Sequence, residues 1–397
     1  MIPKNIPEIT LDDLKSLIEN KVSESRTLDY KVALNFDKPR GKAEFVADVI
    51  AFANTQGGDI IYGVNEEEGI PTDIVGISIE NPDALKSRIE NIIRDTTIPR
   101  VQGLQFRFIH LEDKKFVFIL RIPQSLFAPH AYRDNHLLKF YARNVSGKYL
   151  MDYHELKIAF TFSGSISERA RDFKMKRLME ILSEGVTKLT EKDISNSPYL
   201  VIHFIPLGSL VKNINLDIFQ VYNVLKAEKL LFEFTYRYNI DGLQFPYQYG
   251  EYYQIYRNGI MESVSTNIFR TLENGLPYIA GYGAEANIFQ DIGRFIKISQ
   301  VLNLLPPFVV MISLLRVKGY YIYWGNVLHY PSKDDRKGID RDHIHLPEVL
   351  INEYDEDLEE LLKDPINAMW NAAGYAHSVC YPPDGTRPCR DKYHKIT

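Results

Sequence analysis

The sequence predicts a mixed α/β (α+β) protein built as two consecutive domains. Three observations carry that reading. A strand–helix–strand unit occupies the stretch from Glu24 to Gly76, the texture changes after Pro198, and 397 residues suffice for two ordinary domains. In the first unit, residues 28–34 alternate apolar and polar, the period of a half-buried strand. That period puts Leu28, Tyr30, Val32 and Leu34 on one face and Asp29, Lys31 and Ala33 on the other. Residues 43–54 then repeat apolar side chains at helical spacing: Phe45, Val46, Val49, Ile50, Phe52, Ala53. Gly57 and Gly58 end that helix with the left-handed conformation glycine tolerates. A second strand follows over 59–64, and an acidic turn over 65–69.

The remaining elements follow in order. Residues 9–20 read as a short helix capped by Thr10, with Leu11, Leu14, Leu17 and Ile18 as its apolar stripe. Lys38, Arg40 and Lys42 form a basic loop entering the helix at Ala43. A helix N-terminus flanked by cations suits a phosphate, and a solvated turn fits the same residues. Asn81-Pro82-Asp83 opens a helix to about residue 94, and 101–110 and 115–122 alternate as paired strands. From Arg121 to Tyr149 basic and aromatic residues interleave. Cations there would meet phosphates and rings would stack on unpaired bases, with Arg133, Lys139 and Arg143 the candidate contacts. Ordinary cross-strand pairs are the other reading.

Residues 165–182 read as a charge-laced connecting helix and 185–197 as a hinge. The expected division is therefore 1–162 for the first domain, 163–197 for the connection and 198–397 for a second mixed α/β domain. In that domain 199–205 is a nearly continuous apolar strand. Residues 231–238 and 243–247 read as a hairpin, and 252–264 as a strand broken at Asn258-Gly259. Residues 266–273 and 286–305 read as helices, 307–315 and 320–323 as strands. His343 and His345 share one strand face, without a third ligand at metal-site spacing.

Charged residues near the first unit carry the chemistry. Glu24 precedes the first strand, Asp29 lies in it beside Lys31, and Glu66 follows the second. Carboxylates this close raise one another's pKa, and a hard divalent ion relieves that cost. In such a site the Asp29 carboxylate would hold a divalent ion such as Mg²⁺ or Mn²⁺, the ion would lower the pKa of a bound water, and Lys31 would steady an attacking or leaving phosphate oxygen. A surface ion pair between Asp29 and Lys31 with a solvated acidic turn satisfies the same spacing.

Bulk properties bound the alternatives. A formal net charge of −5 excludes a uniformly basic coat, so nucleic acid would be met by a local patch. Hydrophobic residues at 45% and charged residues at 25% are the profile of a globular protein. Two cysteines, Cys380 and Cys389, suit a reducing compartment and give no zinc quartet. With no leader pattern and no apolar run long enough for a bilayer, a cytoplasmic location without membrane association is expected. No G-x4-G-K-[ST] occurs, so no ATP is expected. There is no G-x-S-x-G elbow either.

Three strings in this stretch also carry a family resemblance. E-S-x3-D-x-K from Glu24, AFANTQGGDIIYGV from Ala51, and FYARNVSGKYLMDYHELKIAF from Phe140 resemble the Schlafen AlbA-type domain, over roughly residues 19–160. The resemblance implies nucleic-acid binding. Where the acidic triad is intact, it implies cutting of structured RNA such as tRNA with a divalent metal, in a setting such as antiphage defence. By position the triad is Glu24, Asp29 and Glu66. Glu and Asp are exchanged relative to the frequent family pattern at Asp29 and Glu66. Schlafen nucleases use a two-lobed cleft and this chain shows one such lobe, so a homodimer is expected to complete it. The rival expectations are a non-catalytic DNA- or RNA-binding transcriptional regulator, and an adaptor whose second domain binds protein.

Overall fold

The computed structural model describes residues 1–36, 38–112, 114–134, 137–184, 197–211, 214–230, 235–246, 251–323 and 338–382. The chain divides into two compact units, Met1–Ser165 and Ile166–Thr397.

The first unit is built on a mixed sheet in the order β1 (Leu28–Lys31), β2 (Gly58–Tyr62), β8 (Lys115–Ile122), β5 (Ile77–Ser78), with β7 (Gln105–His110) also paired to β8. The β1–β2 pair is parallel, and the crossover between them is α2 (Pro39–Ala53). β3 (Val64–Glu67) and β4 (Ile70–Ile74) form a separate hairpin. A further sheet runs β11 (Gly147–Leu150), β10 (Leu137–Asn144), β9 (Ala131–Asp134), β6 (Thr97–Ile98). α1 (Leu11–Glu19) and the N-terminal arm cover one face of the main sheet through Ile2, Ile9 and Leu14. α2 and α3 (Pro82–Thr96) cover the other, where Val46, Val49, Ile50 and Phe52 meet Ile60, Phe118 and Leu120. The fully buried middle of α2 explains why its apolar residues exceed one stripe: it is packed on more than one side.

Several expectations are corrected. The first strand ends at Lys31 rather than Leu34. Beyond Lys31 the alternation fails, because Leu34 and Phe36 turn into the α2 side of the core while Leu28 and Tyr30 pack on the α1 side. Glu66 lies on a hairpin strand, and only Glu68 and Gly69 make the turn, with φ of 51° and 77°. The connecting helix, α4, runs Tyr153–Glu184 and starts well before residue 163, so the units divide inside it at Ser165. Its true start is a reciprocal cap, in which Glu155 N–H donates to Asp152 and Asp152 N–H donates to Glu155. The hinge expected over 185–197 falls almost wholly outside the described residues.

The second unit centres on an antiparallel sheet whose middle strands are Tyr252–Tyr256, Met261–Ser265, Tyr199–Pro206 and Phe308–Leu315. The helices Ile218–Ala227, Gly281–Val301 and Lys363–Ala372 bury one face. Leu178 and Ile181 of α4 cover Tyr199, Val201 and Val264 on the other. On that face Glu262 is fully buried and takes two 3.0 Å bonds from Arg177, one from His203 and one of 2.6 Å from Tyr252. This cluster anchors α4 to its sheet. The helix expected at 266–273 is instead a strand, Phe269–Thr271, because it pairs with Pro277–Ala280. Among the described residues, no helix is long and apolar enough to cross a membrane.

Candidate nucleic-acid site

Asp29 lies in the middle of β1, flanked by backbone hydrogen bonds to β2, and is 2% exposed. Its Oδ1 accepts from Arg143 Nη2 at 2.8 Å. Its Oδ2 forms an ion pair with the Lys31 ammonium at 2.9 Å. Burial pushes the Asp29 carboxyl up, but Lys31 and Arg143 outweigh it and hold it below the usual carboxylate range.

Arg143 is itself buried, and its position comes from the residues that end α2. Thr55 Oγ accepts from Arg143 N–H at 3.1 Å. The Asn54 amide donates to the His130 and Tyr141 carbonyls, each at 2.9 Å, and its oxygen accepts from His130 N–H at 2.7 Å. These bonds fasten β9 and β10 to the end of α2. The Arg143 guanidinium then lies 4.5 Å from the Phe52 ring centroid and donates to Ser25 O as well as to Asp29. The AFANT string therefore works as a staple: Phe52 is the platform, and Asn54 and Thr55 set the strand that delivers Arg143. Gly57 completes it at φ 67°, where an added Cβ would sit 2.6 Å from both Gln124 N and Ile122 O.

A second charged pair adjoins the first. Asp48, buried on α2, accepts from Lys148 of β11 at 2.8 Å. Burial raises the Asp48 carboxyl, with Lys148 and Lys31 opposing. Burial lowers the Lys31 ammonium, but Asp29, Asp48 and Glu24 together raise it further. Lys31 keeps 39% side-chain exposure and is where the cluster meets solvent. Glu24 is half-buried, and Tyr30 N–H donates to its Oε1 at 2.9 Å. Burial pushes its carboxyl up to about 7, and neighbouring Asp29 adds to the rise. Of the two neighbouring carboxyls, that of Glu24 is raised and that of Asp29 lowered.

The candidate residues thus separate. Glu24, Asp29 and Lys31 come together. Glu66 is exposed, and its Oε2 accepts from Gly69 N–H at 2.6 Å. Gly69 O in turn accepts from Glu24 N–H at 2.7 Å. Among the described residues, no group of three or more His, Cys, Asp or Glu side chains is placed to hold a metal ion. Glu24, Asp29 and Glu66 therefore do not form a ligand set in this arrangement. Arg143 and Lys31 supply countercharge to Asp29. The two strand histidines make no site either: His345 Nδ1 pairs with Ser313 Oγ at 3.0 Å, and His343 lies by Asp342.

The expected nucleic-acid contacts also differ from one another. Arg143 is corrected from a surface contact to a buried ion-pair partner, at 4% side-chain exposure. Lys139 of β10 pairs with Asp134 of β9 at 2.6 Å. Arg121, which opens the basic-aromatic segment, is bidentate to buried Asp59 at 2.7 and 2.9 Å and holds the N-terminal arm. Lys38, Arg40 and Arg133 are exposed, and Lys42 is half-buried. Lys38 is the N-cap residue of α2, with Pro39 in the first turn, and Arg40 lies 3.7 Å from Glu44. Asp48 and Lys148 were not singled out from the sequence. Asp48 sits in an otherwise apolar helical run, and that was the signal available.

The Schlafen AlbA_2 family model matches residues 24–152, which contain the whole charged cluster. The DIP2311 protein from Corynebacterium diphtheriae is similar at 14% identity and a TM-score of 0.24, over 35% of this chain and 26% of its own. The N-terminal domain of an ATP-dependent DNA helicase RecG-related protein from Nitrosomonas europaea is similar at 19% identity and a TM-score of 0.25, over 35% of this chain and 94% of its own. This chain thus spans about a quarter of the first protein's length. No curated protein matches the sequence. Residues 24–152 of the N-terminal unit are therefore a Schlafen AlbA_2 domain by the match of that family's model.

Proposed function

We propose that the N-terminal domain binds nucleic acid through its exposed cations and needs no resident divalent ion to do so. Lys38 and Arg40 at the start of α2, Arg133 on β9 and Lys31 at the mouth of the cluster meet the phosphates. The helix N-terminus adds its partial positive charge. The observation that carries the reading is the state of Asp29, whose charge is met from within by Arg143 and Lys31. The match of residues 24–152 to the Schlafen AlbA_2 family supports the nucleic-acid part, which is what that resemblance implies. The test is fluorescence anisotropy with tRNA, single-stranded DNA and duplex DNA in EDTA over a salt series. Affinity that falls steeply with salt supports it, and the absence of binding at low salt removes it.

A second reading, RNA cutting, is favoured by Glu24. A half-buried carboxyl titrating near 7 beside an ammonium suits general acid–base work on RNA. As a carboxylate it would take the proton of a ribose 2′-hydroxyl as that oxygen bonds to the adjacent phosphorus and the phosphorus–O5′ bond breaks, leaving a 2′,3′-cyclic phosphate. The departing 5′-oxygen takes a proton from solvent, and Lys31 faces the phosphoryl oxygens. Such cutting would persist in EDTA and disappear in Glu24→Gln. The Mg²⁺- or Mn²⁺-dependent cutting of tRNA implied by the resemblance would instead require Asp29 to leave Arg143 and join Glu24 and Glu66 on an ion. The homodimer expected from the single lobe belongs to this proposal too, and light scattering tests it.

A further inference from the structure

A cavity of about 560 Å³ opens in the first unit beside the end of β1. Its apolar wall is formed by Val32, Leu34 and Phe36 from the segment after β1, and by Leu85 from α3. Leu34, Phe36 and Leu85 are continuous with the core under α2 and α3, which gives the cavity a fixed floor. Arg88 of α3 also lines it, its guanidinium 5.2 Å from the Phe36 ring centroid, and Ser78 lies on its polar side. Val32, 52% exposed, follows Lys31 directly in the chain. One end of the cavity is therefore a single residue along the chain from Lys31, the half-buried lysine of the charged cluster.

We propose that this cavity receives one unstacked base of a bound single strand, while Lys31 holds a neighbouring phosphate. The inference rests on the nucleic-acid-binding reading above and deepens it. A nucleobase has apolar faces and a polar edge of donors and acceptors, which matches an aromatic and aliphatic slot with Arg88, Ser78, Asn81 and Glu80 at its margin. The juxtaposition of an apolar slot and an ammonium on consecutive residues matches a base and its own backbone. A base inside a duplex would first have to leave its stack, so the cavity selects single strands or loops over duplexes.

The test uses the full chain and three end-labelled probes. They are a short single-stranded oligonucleotide, its fully abasic counterpart, and the same sequence as a duplex, each made in RNA and in DNA. The intact strand is expected to bind about five- to a hundredfold more tightly than the abasic backbone, the value of one base stacked on an aromatic ring. Ala84→Trp, at an exposed position lining the cavity, should bring the intact strand down to the abasic affinity. Equal binding of intact and abasic strands by the unaltered protein overturns the inference while leaving salt-sensitive binding in place. Binding the duplex as tightly as the single strand overturns it likewise. Failure of every probe to bind at low salt overturns both the inference and the reading under it. The comparison of RNA with DNA reports whether the 2′-hydroxyl is also read.

Discussion

Arg143 and Asp29 stand 114 positions apart in the chain and form a buried ion pair of 2.8 Å, with side-chain exposures of 4% and 3%. One member lies on β1 and the other on β10, so the pair ties the main sheet to the second sheet of the N-terminal unit. Removing one partner strands the other charge in a low-dielectric site. Arg143→Met should therefore cost about 3 to 5 kcal/mol of stability. Combined with Asp29→Asn it should cost less than the two single changes added together. Urea unfolding followed by circular dichroism measures the totals, and hydrogen exchange at the β1 amides localises the loss.

Glu24 gives the unit a pH dependence of definite sign. Its carboxyl is raised from 4.5 to about 7, so the folded form holds the proton more tightly than the unfolded form. Between those values the native state binds more protons, and stability falls as pH rises through that window. Glu24→Gln should flatten the decline and leave the protein more stable than the unaltered chain above pH 7. Unfolding curves across the window check this, and an unchanged slope counts against the assignment of the proton to Glu24.

The staple at the end of α2 is expected to be intolerant. Asn54→Ala leaves two carbonyls and one N–H of β9 and β10 without their bonds, at a cost of about 2 to 4 kcal/mol. Gly57→Ala forces a Cβ into backbone atoms at 2.6 Å and should prevent this corner from closing. Thermal unfolding reads the first, and soluble yield with the near-ultraviolet spectrum reads the second.

The exposed cations should behave as phosphate contacts. Lys38→Ala, Arg40→Ala and Arg133→Ala are each expected to weaken binding at low salt without altering the melting temperature. Each should lower the slope of log affinity against log salt by about 1. Lys139→Ala, by contrast, removes a pair with Asp134 and should change the slope less. Anisotropy titrations at several salt concentrations measure all four.

Much of this was legible in the residues and some was not. The period-2 run containing Asp29 and Lys31, the apolar α2 and its glycine stop are local patterns, and local patterns read well. The partner of Asp29 did not, because a cation in a strand reads the same whether it faces solvent or a buried acid. For the same reason Arg121 and Arg143 looked like a basic surface, although one holds Asp59 and the other Asp29. Lys148 and Asp48, 100 positions apart, have no sequence relation that announces them. Residues 165–182 read as a separate connecting helix, whereas α4 is continuous from Tyr153 to Glu184 and passes through Gly164, since a glycine costs a helix about 1 kcal/mol but does not by itself end it. Residues 266–273 carried helical spacing that strand pairing with Pro277–Ala280 overrode.

The most direct measurement places labelled tRNA with the full chain in EDTA, in Mg²⁺ and in Mn²⁺, and follows binding and strand integrity in the same samples. The internal neutralisation of Asp29 predicts equal, salt-sensitive binding in all three, with no cutting that depends on metal. Cleavage that appears only with Mg²⁺ or Mn²⁺, and vanishes in a folded Asp29→Asn variant, would contradict it.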